Sequence, residues 1–502
     1  MGEMFGRIIK GLLIAKSKTA KSENPVKMQR EQLLNILYKS KDTVFGRDYD
    51  FHKILNNKDF VKSFQENVPF FDYDKMYENY WHRFNEEDVC WPGRFEFFAT
   101  TSGTTRGPSK HIPVSKEMVK SIHNGNRKKI VALTKYNLPY EVFKKDILYL
   151  GGSTDLKEEN GIKYGDLSGI ATSQAPRWFN NFKKPEKDIS KLSDWNEKID
   201  MIVKRAKDWD VGIIGGIPPW VLMLFERLKE QYGFDNIHEL WPNLSLYIHG
   251  GVPFGPYKRR FESFLGKKVE RMESYIASEG FIGVQEKPGE DMKLVVDNNT
   301  FFEFIPFDKE NFENGEPKKN AKALAIDKVK KDVPYALLVT NCSGAYRYLI
   351  GDVIRFTNKK RGMFKFAGRT KHYLSVCAEH VSSENLDDVI EELEERTGIA
   401  VEEYTVASEK VNGFFRHHWY ISCEGVLDKS LAEDFIDKNL KDKNRDYKVR
   451  RQGPLKKPSV TILDSKKFYG WMEKQGKLGG QNKFPKVLNE EQKKDWQLFL
   501  KE

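Results

Sequence analysis

Between Phe97 and Ser115 the chain reads FFATTSGTTRGPSKHIPVS. Six consecutive hydroxyl or glycine residues (Thr100, Thr101, Ser102, Gly103, Thr104 and Thr105) precede an arginine, a second glycine, a proline and Lys110. Glycines let the backbone come close to an anion, hydroxyls and exposed N–H groups donate to phosphate oxygens, and the lysine supplies charge, so the stretch reads as a phosphate cradle. The Walker pattern G-x-x-x-x-G-K-[ST] is not met, because Lys110 stands three residues after Gly107 and is followed by His-Ile-Pro-Val and not by a helix start. The loop is expected to join two strands. Taken alone, such a Ser/Thr/Gly cluster also suits an ordinary turn.

Three more stretches carry groups able to do chemistry. YIASEGFIG places Tyr275, Ser278, Glu279 and Gly280 after a strand-like segment. A carboxylate there suits Mg²⁺, which takes oxygen ligands and usually only one or two from protein, or it is a solvent-exposed turn. GAYRYLIGDVIRF places Asp352 after a glycine, at a turn between two expected strands. A buried carboxylate needs partners, either ribose hydroxyls or a salt bridge with Arg347 or Arg355. The segment GKLGGQNKFPK packs three glycines, two amides, three lysines and a proline into one loop near the C-terminus. His417-His418 is no metal pair, because neighbours on a strand face opposite ways, and His372 and His380 lack ligand-like spacing with the cysteines.

The elements that would hold these groups alternate. Helical periodicity marks 29–38, 116–133, 195–209 and 221–232, and strand-like runs mark DILYL, VGIIGGIPPW and LSLYIH, several ending in paired glycines. That alternation predicts an α/β sheet protein with ligands at the carboxyl ends of the strands. A linker is expected near Gly368–Lys371, followed by a small α+β unit with helices at 383–397 and 430–440 and strands at 403–407, 418–423 and 459–463. The 502 residues suggest two to four units. The excess of 84 basic over 73 acidic residues, net +11, is spread thinly, which disfavours a nucleic-acid surface. Mean hydropathy is -0.64, and no long apolar run predicts a membrane span. Four scattered cysteines without C-x-x-C argue against zinc and disulfides and for a cytoplasmic protein. Phe5, Ile8, Ile9, Leu12 and Leu13 predict an amphipathic N-terminal helix and not a signal peptide, packed on its own domain or, through Arg7, Lys10, Lys16 and Lys18, on a membrane surface.

Taken together these segments resemble the adenylate-forming superfamily and, within it, the acyl acid amido synthetases of the plant auxin-responsive family and their bacterial relatives. The likeness runs from about Asn24 to the C-terminal loop. TTSGTTRGPSK is similar to the phosphate-binding motif, with HIPVS fitting the bacterial branch. YIASEGFIG is similar to the Tyr-x-x-Ser-Glu motif, YRYLIGDVIRF to the Tyr-Arg-x-x-x-Gly-Asp motif, LYIHGGVPFGPY to the adenine segment, and GGQNKFPK to the loop of the mobile lysine.

The resemblance implies an α/β fold: a large N-terminal adenylate-forming domain (1–368) with mixed sheets packed by helices, and a small mobile α+β C-terminal lid (369–502). It implies ATP and Mg²⁺ as cofactors, a carboxylic acid substrate and an amino acid acceptor, in a monomer without nucleic acid or stable membrane insertion. Thr101, Ser102, Gly103, Thr104, Thr105 and Lys110 would hold the β- and γ-phosphates, and Gly250 and Gly251 would flank adenine. Tyr275 would pack on the base, Ser278 orient phosphates, Glu279 bind Mg²⁺, Asp352 accept from the ribose, and Lys483 reach the α-phosphate. Arg369 and Lys371 resemble the hinge, where the usual acidic residue is replaced by Thr370 or Lys371. Ile122, Asn126, Thr172, Trp220 and Met223 are the candidate acid-binding residues, with Lys129 and Pro219 beside them. Competing readings are an acyl-CoA-forming ligase using the same adenylate and a non-catalytic nucleotide- or acid-binding protein.

Overall fold

Helices begin where the sequence supplies a cap. Helix α1 (Pro25–Ser40) starts with Asn24, whose side chain accepts from Val26 N at 2.9 Å, and with proline at its first position. Ser115 caps α2 (Lys116–Ala132), accepting from Met118 N at 3.0 Å. The computed structural model describes residues 24–101, 110–175, 181–313, 315–370, 373–374, 377, 379, 381–480 and 482–502. The expected N-terminal helix, the loop residues Ser102, Gly103, Thr104 and Thr105, and Lys371, His372 and His380 lie outside them. The chain packs as two compact units: Met1–Gly251, Gly266–Glu313 and Pro317–Lys365 in the first, Val252–Leu265, Asn314–Glu316 and Phe366–Glu502 in the second.

In the first unit the strands are β1 (Phe97–Thr101), β2 (Lys110–Val114), β3 (Asp146–Tyr149), β4 (Lys157–Glu159), β5 (Ile162–Gly165), β6 (Lys183–Lys184), β7 (Val211–Gly215), β8 (Leu246–His249), β9 (Glu270–Ala277), β10 (Gly280–Val284), β11 (Met292–Leu294), β12 (Thr300–Pro306), β13 (Pro334–Asn341), β14 (Tyr348–Asn358) and β15 (Met363–Arg369), which runs on into the second unit. Eleven of them form one sheet, in the order β12-β13-β14-β15-β11-β10-β9-β8-β7-β3-β6. From β6 to β9 neighbours run parallel. Helices α3 (Leu167–Ser173), α4 (Trp195–Arg205) and α5 (Pro218–Tyr232) lie in the connections of this half. From β9 onward the recorded pairings are antiparallel. A separate sheet has the order β2-β1-β5-β4.

Two sequence expectations change here. Pro218 and Pro219 open α5 and do not extend the preceding strand, since a helix start tolerates a missing N–H. Asp352 lies inside the continuous strand β14 and not at a turn; Gly351, at φ +86°, lets the strand bulge there without ending it.

The core is aromatic. Phe45 stacks on Tyr346 at 4.2 Å, and the Tyr346 hydroxyl donates to Cys90 O at 2.6 Å. Gln29 stitches α1 to β12: its amide donates to Val296 O and Thr300 O at 2.8 and 2.9 Å and accepts from Phe302 N at 2.7 Å. Arg347 (4% exposed) adopts φ +41° and grips Glu303 (1% exposed) with two bonds of 3.1 Å, while Nη1 donates to Gln65 O and Val68 O at 2.6 and 2.5 Å.

The second unit has a sheet of β16 (Val401–Val411), β17 (Phe414–Cys423), β18 (Ser459–Ile462) and β19 (Val487–Leu488), ordered β18-β17-β16-β19. Its helices include α6 (Ser383–Thr397), α7 (Lys429–Lys443), α8 (Ser465–Lys474) and α9 (Glu490–Phe499). Segment 252–265 joins this unit through Arg260 (4% exposed), which contacts Glu402 at 2.8 Å and Glu424 at 3.3 Å. His417 is buried on Glu379 at 2.8 Å, and His418, on the other face of β17, contacts Glu409 at 2.5 Å, the alternation expected of a strand.

Removing one partner of a buried pair strands the other charge. Glu303→Leu is expected to lower stability of the first unit by about 3–5 kcal/mol; urea titration followed by tryptophan fluorescence reads this, and an unchanged midpoint would remove the pair from the core's support.

Candidate active site

The rim of the hydroxyl loop is built by pairing. Strands β1 and β2 are antiparallel with Thr101 opposite Lys110, so the residues that flank the hydroxyl run stand side by side on two strands, as the sequence predicts. Lys110 is exposed, with its ammonium 5.0 Å from the centre of the Tyr73 ring, and the Tyr73 hydroxyl accepts from His111 N at 3.1 Å. The sequence reading did not single out Tyr73, which lies far upstream and has no motif of its own.

Ser278 and Glu279 form the two-residue tip of the β9–β10 hairpin, closed by the Ala277–Gly280 pair. Gly280 sits at φ +144°, where a side chain is strained. Asn341 Nδ2 donates to Glu279 O at 2.8 Å and Asn341 Oδ1 accepts from Ser343 N at 2.9 Å, which ties the tip to the end of β13. The Glu279 carboxylate is close enough to Tyr348 to add to the burial that raises its phenol pKa. One carboxylate beside hydroxyls is an oxygen donor set of the kind Mg²⁺ uses. Among the described residues no cluster of three or more His, Cys, Asp or Glu side chains forms a metal site.

Tyr275 and Asp352 are brought together: the phenol donates to Asp352 Oδ2. Asp352 is 7% exposed. Arg347, one of the two salt-bridge partners considered for it, is committed to Glu303. At the end of β8, a side chain on Gly250 would meet Ser274 O at 2.1 Å, and Gly251 takes φ +83°. Both positions therefore require glycine. The preceding His249 is 6% exposed, against Tyr247, and burial with the nearby charge of Arg271 lowers its pKa to about 3.

Helix α2 lies on β10 so closely that a side chain at Gly125 would strike the Phe281 ring at 2.3 Å. On this helix Ile122 is a core residue at 2% exposure and Asn126 is half-buried. Thr172 is half-buried on α3, which meets α2 where His123 Nε2 lies 3.1 Å from Ala171 O. Trp220 (1% exposed) packs on Trp195 at 5.6 Å, and Met223 is half-buried. Burial pulls Lys129 down to about 8.

Arg369 and Lys483 belong to the second unit. Arg369 ends β15 after Gly368 at φ +126°. Lys483 is exposed on a loop pinned at both feet. Upstream, Lys477 N donates to Met472 O at 2.8 Å and Gly479 and Gly480 take φ +84° and +61°. Downstream, Phe484 (5% exposed) enters a cluster with Phe468, Trp471 and Trp496 at 4.9, 5.1 and 5.3 Å. Thr405 Oγ1 donates to Pro485 O at 2.7 Å. Lys486 is a second anchor that the sequence reading passed over: its ammonium donates to Glu403 at 2.6 Å and to the Tyr257 hydroxyl at 3.1 Å, and lies 4.0 Å from the centre of the Tyr404 ring. In KFPK the two lysines look alike, and only the fold separates the exposed one from the half-buried one.

The fold is one shared with solved structures of an acyl acid amido synthetase and an acyl-CoA ligase. It superposes on GH3.15 acyl acid amido synthetase with a TM-score of 0.78 at 18% identity, covering 97% of this chain and 96% of that one. It superposes on 2-hydroxyisobutyryl-CoA ligase in the postadenylation state with a TM-score of 0.63 at 12% identity, over 95% and 92% of the two chains. Residues 15–203, 293–369 and 384–492 match the GH3 family N-terminal, central and C-terminal domains, and the chain belongs to the GH3 family. Among its relatives, jasmonoyl–L-amino acid synthetase JAR4 of Nicotiana attenuata is 31% identical over 173 residues, 33% of this chain and 29% of that protein. Indole-3-acetic acid-amido synthetase GH3.10 of Arabidopsis thaliana is 27% identical over 276 residues, 50% of this chain and 46% of that protein. The matched segments thus span less than half of either relative's length.

The buried imidazole next to Gly250 makes stability depend on pH. His249 has a folded pKa of about 3 against an ordinary 6.5, so between those values the unfolded chain binds a proton that the folded chain does not, and stability falls as pH drops through this window. Denaturation midpoints measured from pH 7 to pH 5 should decline, and His249→Gln should flatten the decline; an identical slope in the variant would assign it to other groups.

Proposed function

We propose that this chain is an ATP-dependent ligase that adenylates a carboxylic acid and passes the acyl group to the amine of an amino acid. The observation that carries this reading is the convergence, in one unit, of the Thr101–Lys110 rim, the Glu279 hairpin tip and the bonded Tyr275–Asp352 pair. The names of the GH3 relatives, amido synthetases acting with amino acids, support it. In the first step an oxygen of the acid attacks the α-phosphorus of ATP, the bond to the bridging oxygen breaks, and pyrophosphate leaves. In the second, the amine attacks the acyl carbon, AMP leaves, and the amine's proton passes to solvent or a base.

Lys110 and the hydroxyl loop, Thr101, Ser102, Gly103, Thr104 and Thr105, would hold the departing pyrophosphate. Gly250 and Gly251, at the end of β8, would flank the base, and Tyr275 would pack on it. The Tyr275 phenol fills one lone pair of Asp352 and leaves the remainder to accept from ribose hydroxyls. Ser278 would orient phosphate oxygens, and Glu279 would hold Mg²⁺, which neutralises phosphate charge when bound. Lys483, exposed on an anchored loop of the C-terminal lid, would donate to the α-phosphate as its charge grows. Arg369 would act in the hinge. Ile122, Asn126, Thr172, Trp220 and Met223 would shape the acid's surroundings. The four free cysteines support a reducing, cytoplasmic setting, and no helix of the described residues is long and apolar enough to cross a membrane.

The decisive experiment is exchange of labelled pyrophosphate into ATP that depends on added acid. No exchange across a broad acid panel would overturn the ligase reading. Because the fold is shared with an acyl-CoA ligase, product mass spectrometry with amino acids against coenzyme A separates amide from thioester. Lys483→Ala should slow adenylate formation by about 10²–10³-fold, the usual loss of one transition-state donor, with an unchanged denaturation midpoint. Glu279→Ala should weaken the response of the rate to Mg²⁺; a variant that instead fails to fold would mark Glu279 as structural.

A further inference from the structure

In the first unit two desolvated ammonium groups, Lys198 and Lys183, make no ion pair among the described residues. Lys198, on α4, is 4% exposed, and its Nζ reaches one acceptor, Gly151 O, at 3.3 Å. Lys183, half-buried on β6 at the edge of the large sheet, makes no ion pair among the described residues. Burial draws both down to about 8, and each is near enough for Lys183 to depress Lys198 further. Neighbouring charges are already spent on one another: Lys184 on Glu186 at 2.7 Å and Arg205 on Asp188 at 2.7 Å.

One carboxylate faces Lys198 beyond ion-pair distance. Asp166 is lodged against Gly152, where a side chain would meet its Oδ2 at 2.1 Å, and it makes no cap bond to the helix it precedes. Burial raises its pKa above the ordinary carboxylate value, with Lys198 pulling the other way. The Gly151-Gly152 turn is thus held between the Lys198 ammonium on the Gly151 carbonyl and Ser168 Oγ, which accepts from Gly152 N at 3.1 Å. The group sits just past the carboxyl end of β3, where parallel sheets open their ligand sites. Trp195, one helical turn before Lys198, packs on Trp220. A desolvated ammonium with three donors and one long carbonyl contact is strongly unfavourable by itself. Two ammonium groups against one carboxylate leave one positive charge, and a single bound carboxylate makes the cluster neutral.

We propose that Lys198 and Lys183, with Asp166 beside them, form a subsite for the substrate carboxylate that does not react. The chemistry is the same whether that carboxylate belongs to the acceptor amino acid or is a second carboxylate on the acyl acid. The inference rests on the ligase reading above.

The two half-reactions tell the sources apart. For the acceptor, the ratio of kcat/KM for the best amino acid to that for its α-amide is compared between wild type and Lys198→Met; for the acid, the ratio for dicarboxylic (malonate to adipate) to monocarboxylic acids is compared in pyrophosphate exchange. A fall of at least tenfold in the first ratio assigns the subsite to the acceptor, and the same fall in the second assigns it to the acid. Lys183→Met, on a half-exposed edge strand, gives the same readouts if Lys198→Met does not fold. Both ratios unchanged in a folded variant would overturn the subsite. Failure of wild-type exchange would instead overturn the ligase reading, and calorimetric titration of wild type and Lys183→Met with the amino acids and dicarboxylates then decides the subsite by whether the variant loses the binding.

Discussion

The bond from Tyr275 to Asp352 sets the shape on which the rest of the site depends. Tyr275 is on β9 and Asp352 on β14, with β10, β11 and β15 between them in the sheet. At about 4.8 Å per strand a flat sheet would hold these strands about 19 Å apart, beyond the combined reach of the two side chains. The antiparallel half must therefore curl. Small residues permit it: a side chain on Gly283 of β10 would strike the Phe364 ring of β15 at 2.6 Å, and Gly351 bends β14 just before Asp352. With the sheet curled, the β9–β10 tip carrying Glu279 comes against Tyr348 and Asn341, and four distant stretches of chain share one neighbourhood.

The opposite half of the same sheet is parallel, and its chemistry differs. Strand ends there terminate in paired glycines, Gly151-Gly152 after β3, Gly215-Gly216 at the end of β7 and Gly250-Gly251 after β8. The glycines at 152 and 250 leave backbone open to a carboxylate and to a carbonyl respectively, at distances no side chain tolerates. One half of the sheet thus supplies curvature and the carboxylates of Glu279 and Asp352. The other supplies close backbone approaches and the buried lysines.

In the second unit, position is secured by buried polar contacts and aromatic packing. Lys486 on Glu403, between the rings of Tyr257 and Tyr404, adds little net stability after desolvation but admits one geometry. Together with Phe484 it holds the stretch that presents Lys483. Asp387, buried under the Tyr404 hydroxyl that donates to it at 2.6 Å, is raised to about 6, chiefly by burial.

The order of motifs along the chain carried the family likeness, and local sequence alone determined the two strands that flank the hydroxyl run, the helices at 116–133 and 383–397 and the opposite facing of His417 and His418. Each of the latter depends on residues within a few positions of one another: caps, glycines and side-chain alternation. The tertiary structure alone decided that Asp352 lies within a strand, that Tyr275 is its partner, that segment 252–265 packs with residues 366–502, that Lys486 is half-buried on Glu403 where Lys483 is exposed, and that Lys183 comes near enough to Lys198 to act on its charge. These depend on burial and on contacts between residues tens to hundreds of positions apart. A lysine carries the same letter whether water or a carboxylate surrounds it, and only folding, by removing the water, gives the two their different chemistry.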